Sequence, residues 1–381
     1  MKKIKLLLCL FMLTTLCGCS NSNKNESSKT LNAAMFWIST SLDPTNNYDG
    51  WVLSRIGVGE TLLKLNEKYE VEPYLAKSYE QIDDTTWKLT LKDSITFSNG
   101  KKVTGENVKS CLERAFEKNT RAIDYFDLNH VEAKGQDIYL YLNKSSGAIL
   151  NNLCEPLFTI YDASQSEEDI ANHPLCTGPF VVDDFVSEKT IDTSKNKKYY
   201  DGKAKLDHVH FSQVADSDAR VLALQSGEVD LANTIDYSSL KLFRNNKDYQ
   251  VLEVLGPRTN VIYMNNETTF LSDLTIRKAL SYSVNHKSIV KLIGGKEATG
   301  LYSSALPYGD VSNGYSLNLK EANRLLDEAG YVDTNNDGIR EKDGQEIILN
   351  YYESAAILII KQLHNRLLNS VTTSQIGRAH V

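Results

Sequence analysis

TWKLTLKDSITFSNGKKVT, residues 86–104, decides the fold. Trp87 to Leu91 alternates apolar and polar side chains, which is the period of a half-buried strand. Ile95-Thr96-Phe97 is a second short extended piece, closed by Ser98-Asn99-Gly100, where Asn and Gly tolerate the positive φ of a hairpin turn. Thr104 then offers a capping hydroxyl ahead of Val108, Cys111, Leu112, Ala115 and Phe116, which recur at helical spacing. Within one stretch the chain passes through a β-meander into a helix of about ten residues.

The same mixture continues outward in both directions. Leu31 to Trp37 reads as a strand stopped by Ser41-Leu42-Asp43-Pro44, since proline lacks an amide hydrogen and restricts its predecessor. Trp51 to Leu65 reads as a helix followed by an extended piece. Ile138 to Leu142, Phe180 to Val182 and Leu206 to Val214 read as strands, and Asp218 to Gly227 as an amphipathic helix. The order does not repeat as βαβ, so the expectation is a mixed-sheet α/β architecture with several subdomains.

The N-terminus sets the compartment. Lys2, Lys3 and Lys5 flank the apolar run Leu6 to Leu16, which is too short for a resident membrane helix and has the form of a secretory signal. Leu16-Cys17-Gly18-Cys19 matches a bacterial lipoprotein cleavage box, which makes Cys19 the expected lipidated residue. Acyl chains contribute about 0.8 kcal/mol per buried methylene, so two or three of them anchor durably. Ser20 to Thr30 is polar throughout and reads as a flexible tether.

The whole chain carries ordinary hydrophobic (41%) and charged (24%) content, but its net charge of −7 argues against a nucleic-acid partner. After the signal and Cys19, only Cys111, Cys154 and Cys176 remain, with no C-x-x-C spacing, so they read as buried small residues with at most one disulfide. No Gly-x-Ser-x-Gly elbow, His-Glu-x-x-His pair or phosphate-binding glycine loop occurs, and the chain is read as a non-enzyme without a cofactor.

Eight segments together resemble the peptide and nickel solute-binding proteins (family 5) that serve ABC importers. They are SLDP (41–44), GETL (59–62), EPYLAKSYE (72–80), residues 86–104, TGPF (177–180), ARVLALQSGEVDLANTI (219–235), DLTIRKALSYSVNHKSIV (273–290) and EANRLLDEAGYVDTNNDGIREKDG (321–344). Each alone is a hairpin, a helix or a turn; their number and order carry the resemblance. It implies a two-lobed periplasmic-binding-protein-like fold of type II, with an extra subdomain in the first lobe, closing on a ligand held between the lobes.

The implied layout is a signal peptide over 1–18 and a lipidated tether over 19–30. A first lobe follows over 31–255, with an inserted subdomain at about 48–170, and then a second lobe over 256–375. Family members continue further, so the second lobe is expected to be incomplete, with apolar surface left uncovered. Ile376 to Val381 reads as translated adapter sequence, a non-native tail.

The resemblance places the loop after the first strand and the helix near Trp51 at the cleft, making Tyr48, Trp51 and Arg55 candidate ligand contacts. Trp51 offers a stacking face and Arg55 a planar fork for a carboxylate. Arg258 and Asn260 fall near the crossing into the second lobe. Tyr352 and Glu353 end a later strand, where Glu353 is placed to meet a peptide's amino group. The expected cargo is a short peptide, with a nickel chelate as the alternative and a surface hydrolase as a third, weaker reading. The expected partners are an importer permease and, through the anchor alone, the membrane, with the body a monomer.

Two metal patterns are read as structural. His208 and His210 share one face of a strand expected to lie inside the first lobe, remote from the cleft. Asp333-Thr334-Asn335-Asn336-Asp337-Gly338 matches the first half of a calcium loop, but its twelfth position is Gly344 where a bidentate glutamate is expected, and the segment reads as a polar turn.

Overall fold

The computed structural model describes residues 28–306, 309 and 314–350, and the backbone of 378–380. A five-stranded mixed sheet forms the base. β1 (Thr30–Met35) lies between β10 (His208–Gln213) and β11 (Leu231–Ala232), parallel to both, while β9 (Thr190–Lys195) and β8 (Phe180–Val186) extend the other side antiparallel. Because successive strand residues point to opposite faces, Ala34 packs with Ala223 and Val229 while Met35 joins the main core.

Ala223 belongs to α4 (Ser217–Ser226), whose start is capped by the Asp216 side chain and whose end is turned by Gly227 in the left-handed region (φ 75°). Arg220 on this helix is buried and donates to the carbonyl oxygens of Val214, Ala215, Asn233 and Thr234. One guanidinium thus ties together the chain leaving β10 and the chain leaving β11, a use of its rigid fork that lysine cannot copy.

A four-stranded antiparallel sheet follows the order β4 (Ala76–Gln81), β5 (Thr86–Leu91), β7 (Asp137–Leu142), β6 (Leu128–Lys134). The alternation of Trp87 to Leu91 is therefore a strand, as expected, but its hairpin partner differs. Ile95-Thr96-Phe97 does not join this sheet; it makes its own tight turn, with Thr96 bridged to Lys102 and Gly100 at φ 88°. The reason is burial: Ile95 and Phe97 plug the main core end-on, and β7 supplies the edge that β5 needs.

Thr104 caps α2 (Gly105–Lys118) through a full capping box with Asn107. The helix runs 14 residues rather than about ten, and Arg114, between the apolar positions Leu112 and Ala115, is itself buried and paired. Its guanidinium makes a two-pronged bond to Asp43 (2.8 and 2.7 Å) and also donates to Thr45 and the Tyr161 hydroxyl. The Ser-Leu-Asp-Pro stretch is therefore a docking point for α2 as well as a strand terminator. This bond lowers the Asp43 carboxyl against the upward push of its burial.

The Gly-Glu-Thr-Leu and Thr-Gly-Pro-Phe stretches also meet in the core. Buried Glu60 accepts from Thr177 Oγ1 (2.7 Å) and from the Tyr199 hydroxyl (3.1 Å). Burial, then the Glu60 charge, raises the Tyr74, Tyr199 and Tyr200 phenols. Cys111, Cys154 and Cys176 are all free thiols, so the one disulfide left open by the sequence is not formed.

Beyond residue 250 a separate, smaller core forms. Ile276 and Ala279 of α5 (Leu274–Ser283) pack on Ala322 and Leu326 of α7 (Leu319–Glu328), with Tyr331 and Ile347 closing the cluster; α6 (His286–Ile293) lies between the two helices in sequence. The connecting stretch leaves Val254 and Tyr263 each 87% exposed. Among the described residues, no helix is long and apolar enough to cross a membrane. Cys19, Tyr352, Glu353 and the side chains of 376–381 lie outside the described residues.

Candidate functional site

The candidate contacts gather where β1 ends and α1 (Gly50–Arg55) begins. Gly50 makes the local geometry possible: a Cβ there would sit 2.3 Å from the Pro156 carbonyl oxygen, so only glycine lets the helix start rest on the Pro156–Phe158 turn. Val52 and Leu53 then face the core, leaving Trp51 and Arg55, one helical turn apart, on the outer face.

Seated this way, Trp51 donates its indole N–H to Glu155 Oε1 (2.9 Å). The Arg55 guanidinium carbon lies 5.6 Å from the Trp51 ring centre and 5.7 Å from that of Phe36 at the end of β1. Two aromatic faces therefore hold one cation between them. Partial burial, and then the like charge of Arg258, hold the Arg55 guanidinium below its usual range. It stays charged at any physiological pH, but it stays charged at a cost that an anion would relieve.

Tyr48 reaches the same face through a second cation. The Arg121 guanidinium carbon is 3.7 Å from the Tyr48 ring centre. The same group donates to the Asn47 carbonyl (2.8 Å) and to the Tyr125 hydroxyl (2.7 Å), and approaches Glu155 at 4.0 Å. Burial and the Glu155 charge push the Tyr125 phenol up to about 12. Glu155 thus bridges the Trp51 and Arg121 halves of the patch. Arg55 and Arg121, with Arg258 within electrostatic reach of Arg55, present guanidinium groups suited to carboxylates.

Of the residues proposed from sequence, Tyr48, Trp51 and Arg55 are brought together and Arg258 lies within electrostatic reach of Arg55. Asn260 is exposed, and among the described residues no hydrogen bond, ion pair or ring contact joins it to the group. The sequence reading missed Phe36, Arg121, Tyr125 and Glu155. Phe36 was hidden by belonging to an apolar strand, and Glu155 and Arg121 arrive from distant segments that share no motif with it: Glu155 sits 104 positions from its Trp51 partner and Arg121 sits 74 positions from Asn47. Only the Pro156 turn next to Glu155 carried a local signal.

The two histidines on the shared strand face have different surroundings. His208 is exposed, while His210 Nδ1 lies 2.7 Å from Asp192 Oδ1 on the neighbouring strand, an ordinary cross-strand pair.

Comparison with known proteins shows which family the chain resembles. The family model described as bacterial extracellular solute-binding proteins, family 5 middle, matches residues 70–358. The nickel-binding protein NikA of Staphylococcus aureus is 31% identical over 320 residues, covering 83% of this chain and 64% of that protein. The oligopeptide-binding protein AppA of Bacillus subtilis is 28% identical over 308 residues, 75% of this chain and 56% of that protein. The chain thus matches less than two thirds of the length of either relative. The solved structure of Staphylococcus aureus NikA in complex with Ni(L-His)2 superposes with a TM-score of 0.69 at 27% identity, covering 93% of this chain and 73% of that one.

Proposed function

The chain belongs to the bacterial extracellular solute-binding proteins of family 5, and from that premise we propose that it captures a small carboxylate-bearing solute outside the cytoplasm and delivers it to an ABC importer. The observation that carries this reading is the placement of Arg55 between Trp51 and Phe36 with Arg258 nearby. An aromatic wall excludes water while guanidinium forks pair with carboxylates, so binding needs no chemistry on the solute. Closure of the second lobe over the patch completes the site, and Asn260, Tyr352 and Glu353 are assigned to that closing side.

Two cargoes present the right groups. A short peptide offers its terminal carboxylate, in keeping with the Bacillus relative that binds oligopeptides. A nickel chelate of amino acids offers two carboxylates at once, which suits neighbouring guanidiniums, and the staphylococcal relative is a nickel-binding protein. The second cargo is favoured on both counts, and its metal would arrive already liganded, since the described residues of the patch include no histidine or cysteine.

Calorimetric titration with nickel alone, nickel with histidine, and peptide mixtures separates these readings. Saturation by nickel only when histidine is present supports the chelate; saturation by metal-free peptide supports the peptide. No saturable binding of either contradicts the proposal. The membrane tether is assigned to acylated Cys19, and Cys19→Ala should move the chain from the membrane fraction to the medium; retention in the membrane would contradict that assignment.

A further inference from the structure

The acidic turn after α7 is closed in a way its sequence does not announce. Val332 and Glu341 exchange backbone hydrogen bonds (3.0 and 2.8 Å), so the loop between them returns on itself. Asp333, Asp337 and Glu341 each bring one carboxylate oxygen to within 4.8 Å of the other two. Among the described residues, no lysine, arginine or histidine forms an ion pair with any of them; the nearby Arg340 is spent on Asp327, the Tyr331 carbonyl and Asn323.

Glu341 makes this more than an acidic cluster. It is 7% exposed, and while its Oε2 accepts from Thr334 N (2.9 Å) and Thr334 Oγ1 (3.3 Å), its Oε1 is buried with no hydrogen-bond partner. A carboxylate with one oxygen removed from water and unpartnered, on a residue that also brings an oxygen close to two further carboxylates, is costly to hold through both desolvation and repulsion. The other oxygens are oriented by donors: Asp333 accepts from Asp337 N and Gly338 N, and Asp337 accepts from Ile339 N and the Asn335 side chain. Each carboxylate keeps acceptor capacity beyond those bonds.

We propose that this loop binds one calcium ion, with Asp333, Asp337 and Glu341 as its carboxylate ligands. All-oxygen donors select a hard divalent cation, and donors within 4.8 Å of one another match an ion whose bonds to oxygen are about 2.4 Å. The Asp-x-Asn-x-Asp-Gly start fills alternate positions of a calcium loop. Its closing carboxylate comes from the ninth position, Glu341, instead of the twelfth, where Gly344 stands. The exposed Asp337 leaves a path for the ion.

The ion braces the second core. The Tyr331 hydroxyl at the loop's base donates to Asp273 (2.9 Å), which itself caps α5. Arg340 within the loop reaches Asp327 and Asn323 of α7. A cation at the three carboxylates therefore fixes the turn that joins these helices, whatever cargo the first lobe takes.

The test is calorimetric titration of the purified, EDTA-stripped chain with calcium chloride, with thermal unfolding followed in parallel. Saturable binding of one calcium per chain and a calcium-dependent rise in Tm are expected. Both should weaken at least ten-fold in concentration in Asp337→Asn, whose exposed side chain puts folding at little risk, and in Glu341→Gln. Absence of saturable calcium binding to the native chain, or binding that Asp337→Asn leaves unchanged, would overturn the proposal.

Discussion

The Arg121 guanidinium stacks 3.7 Å from the centre of the Tyr48 ring while donating to the carbonyl of Asn47, the residue just before it. Asn47 sits in the left-handed region (φ 45°), and Asn119 donates to the same carbonyl at 3.2 Å. Two side chains from the end of α2 thus hold a strained residue so that Tyr48 faces outward. Arg121→Ala should lower affinity for a carboxylate solute about ten-fold, close to 1.4 kcal/mol, with Arg121→Lys recovering little of it. Calorimetry on the variants checks this, and equal affinity for Arg121→Ala would speak against the patch.

Gly50→Ala should damage the site from behind. The added methyl meets the Pro156 carbonyl, so α1 must lift and Trp51 must leave Glu155. Overpacking of this kind costs about 1–3 kcal/mol. Urea unfolding should show that loss, and tryptophan fluorescence should shift relative to the native protein; an unchanged midpoint would mean that the contact is not tight.

The Arg114–Asp43 pair is buried on both sides, so removing one partner leaves an uncompensated charge. Asp43→Ala is expected to cost about 3–5 kcal/mol. Exposed Glu167, also bonded to Arg114, moderates the loss without replacing a two-pronged bond. A change below about 1 kcal/mol in denaturant titration would show that water reaches the pair.

Asp43 and Asp49 give opposite pH signatures. Asp43 is held below its ordinary range, so its contribution is present above about pH 4 and is lost as pH falls further. Asp49 is raised to about 6, chiefly by burial and then by the Asp43 charge, against the donation it receives from Asn46. The native state therefore takes up a proton at Asp49 between about pH 4 and 6, and stability falls as pH rises through that window. Asp49→Asn should flatten this slope and leave the protein more stable than native at pH 7. A slope between pH 4 and 6 that survives the substitution would assign it elsewhere.

Much of the fold was legible because its signals are local. The alternation of Trp87 to Leu91, the Thr104 cap and the Gly227 stop each act within a few residues, and each element formed where those signals stand. What could not be read was pairing across distance. Nothing in Ile95-Thr96-Phe97 says that β5 will pair instead with β7, and nothing near Arg114 says that its charge will be neutralised 71 positions away at Asp43. The site divides the same way: Tyr48, Trp51 and Arg55 share one short segment, whereas Glu155 and Arg121 join them only once α2 and the Pro156 turn have packed.

The central claim is that guanidinium groups on an aromatic wall seize the cargo's carboxylates, and Arg55 is the residue that tests it. Calorimetric titration of native and Arg55→Ala chains with nickel–histidine and with short peptides should give one-to-one saturation of the native protein by one of them. The variant should bind that solute about 10- to 100-fold more weakly, with its thermal midpoint little changed. Equal affinity in the two proteins, or no saturation of the native chain by either solute, would contradict the account.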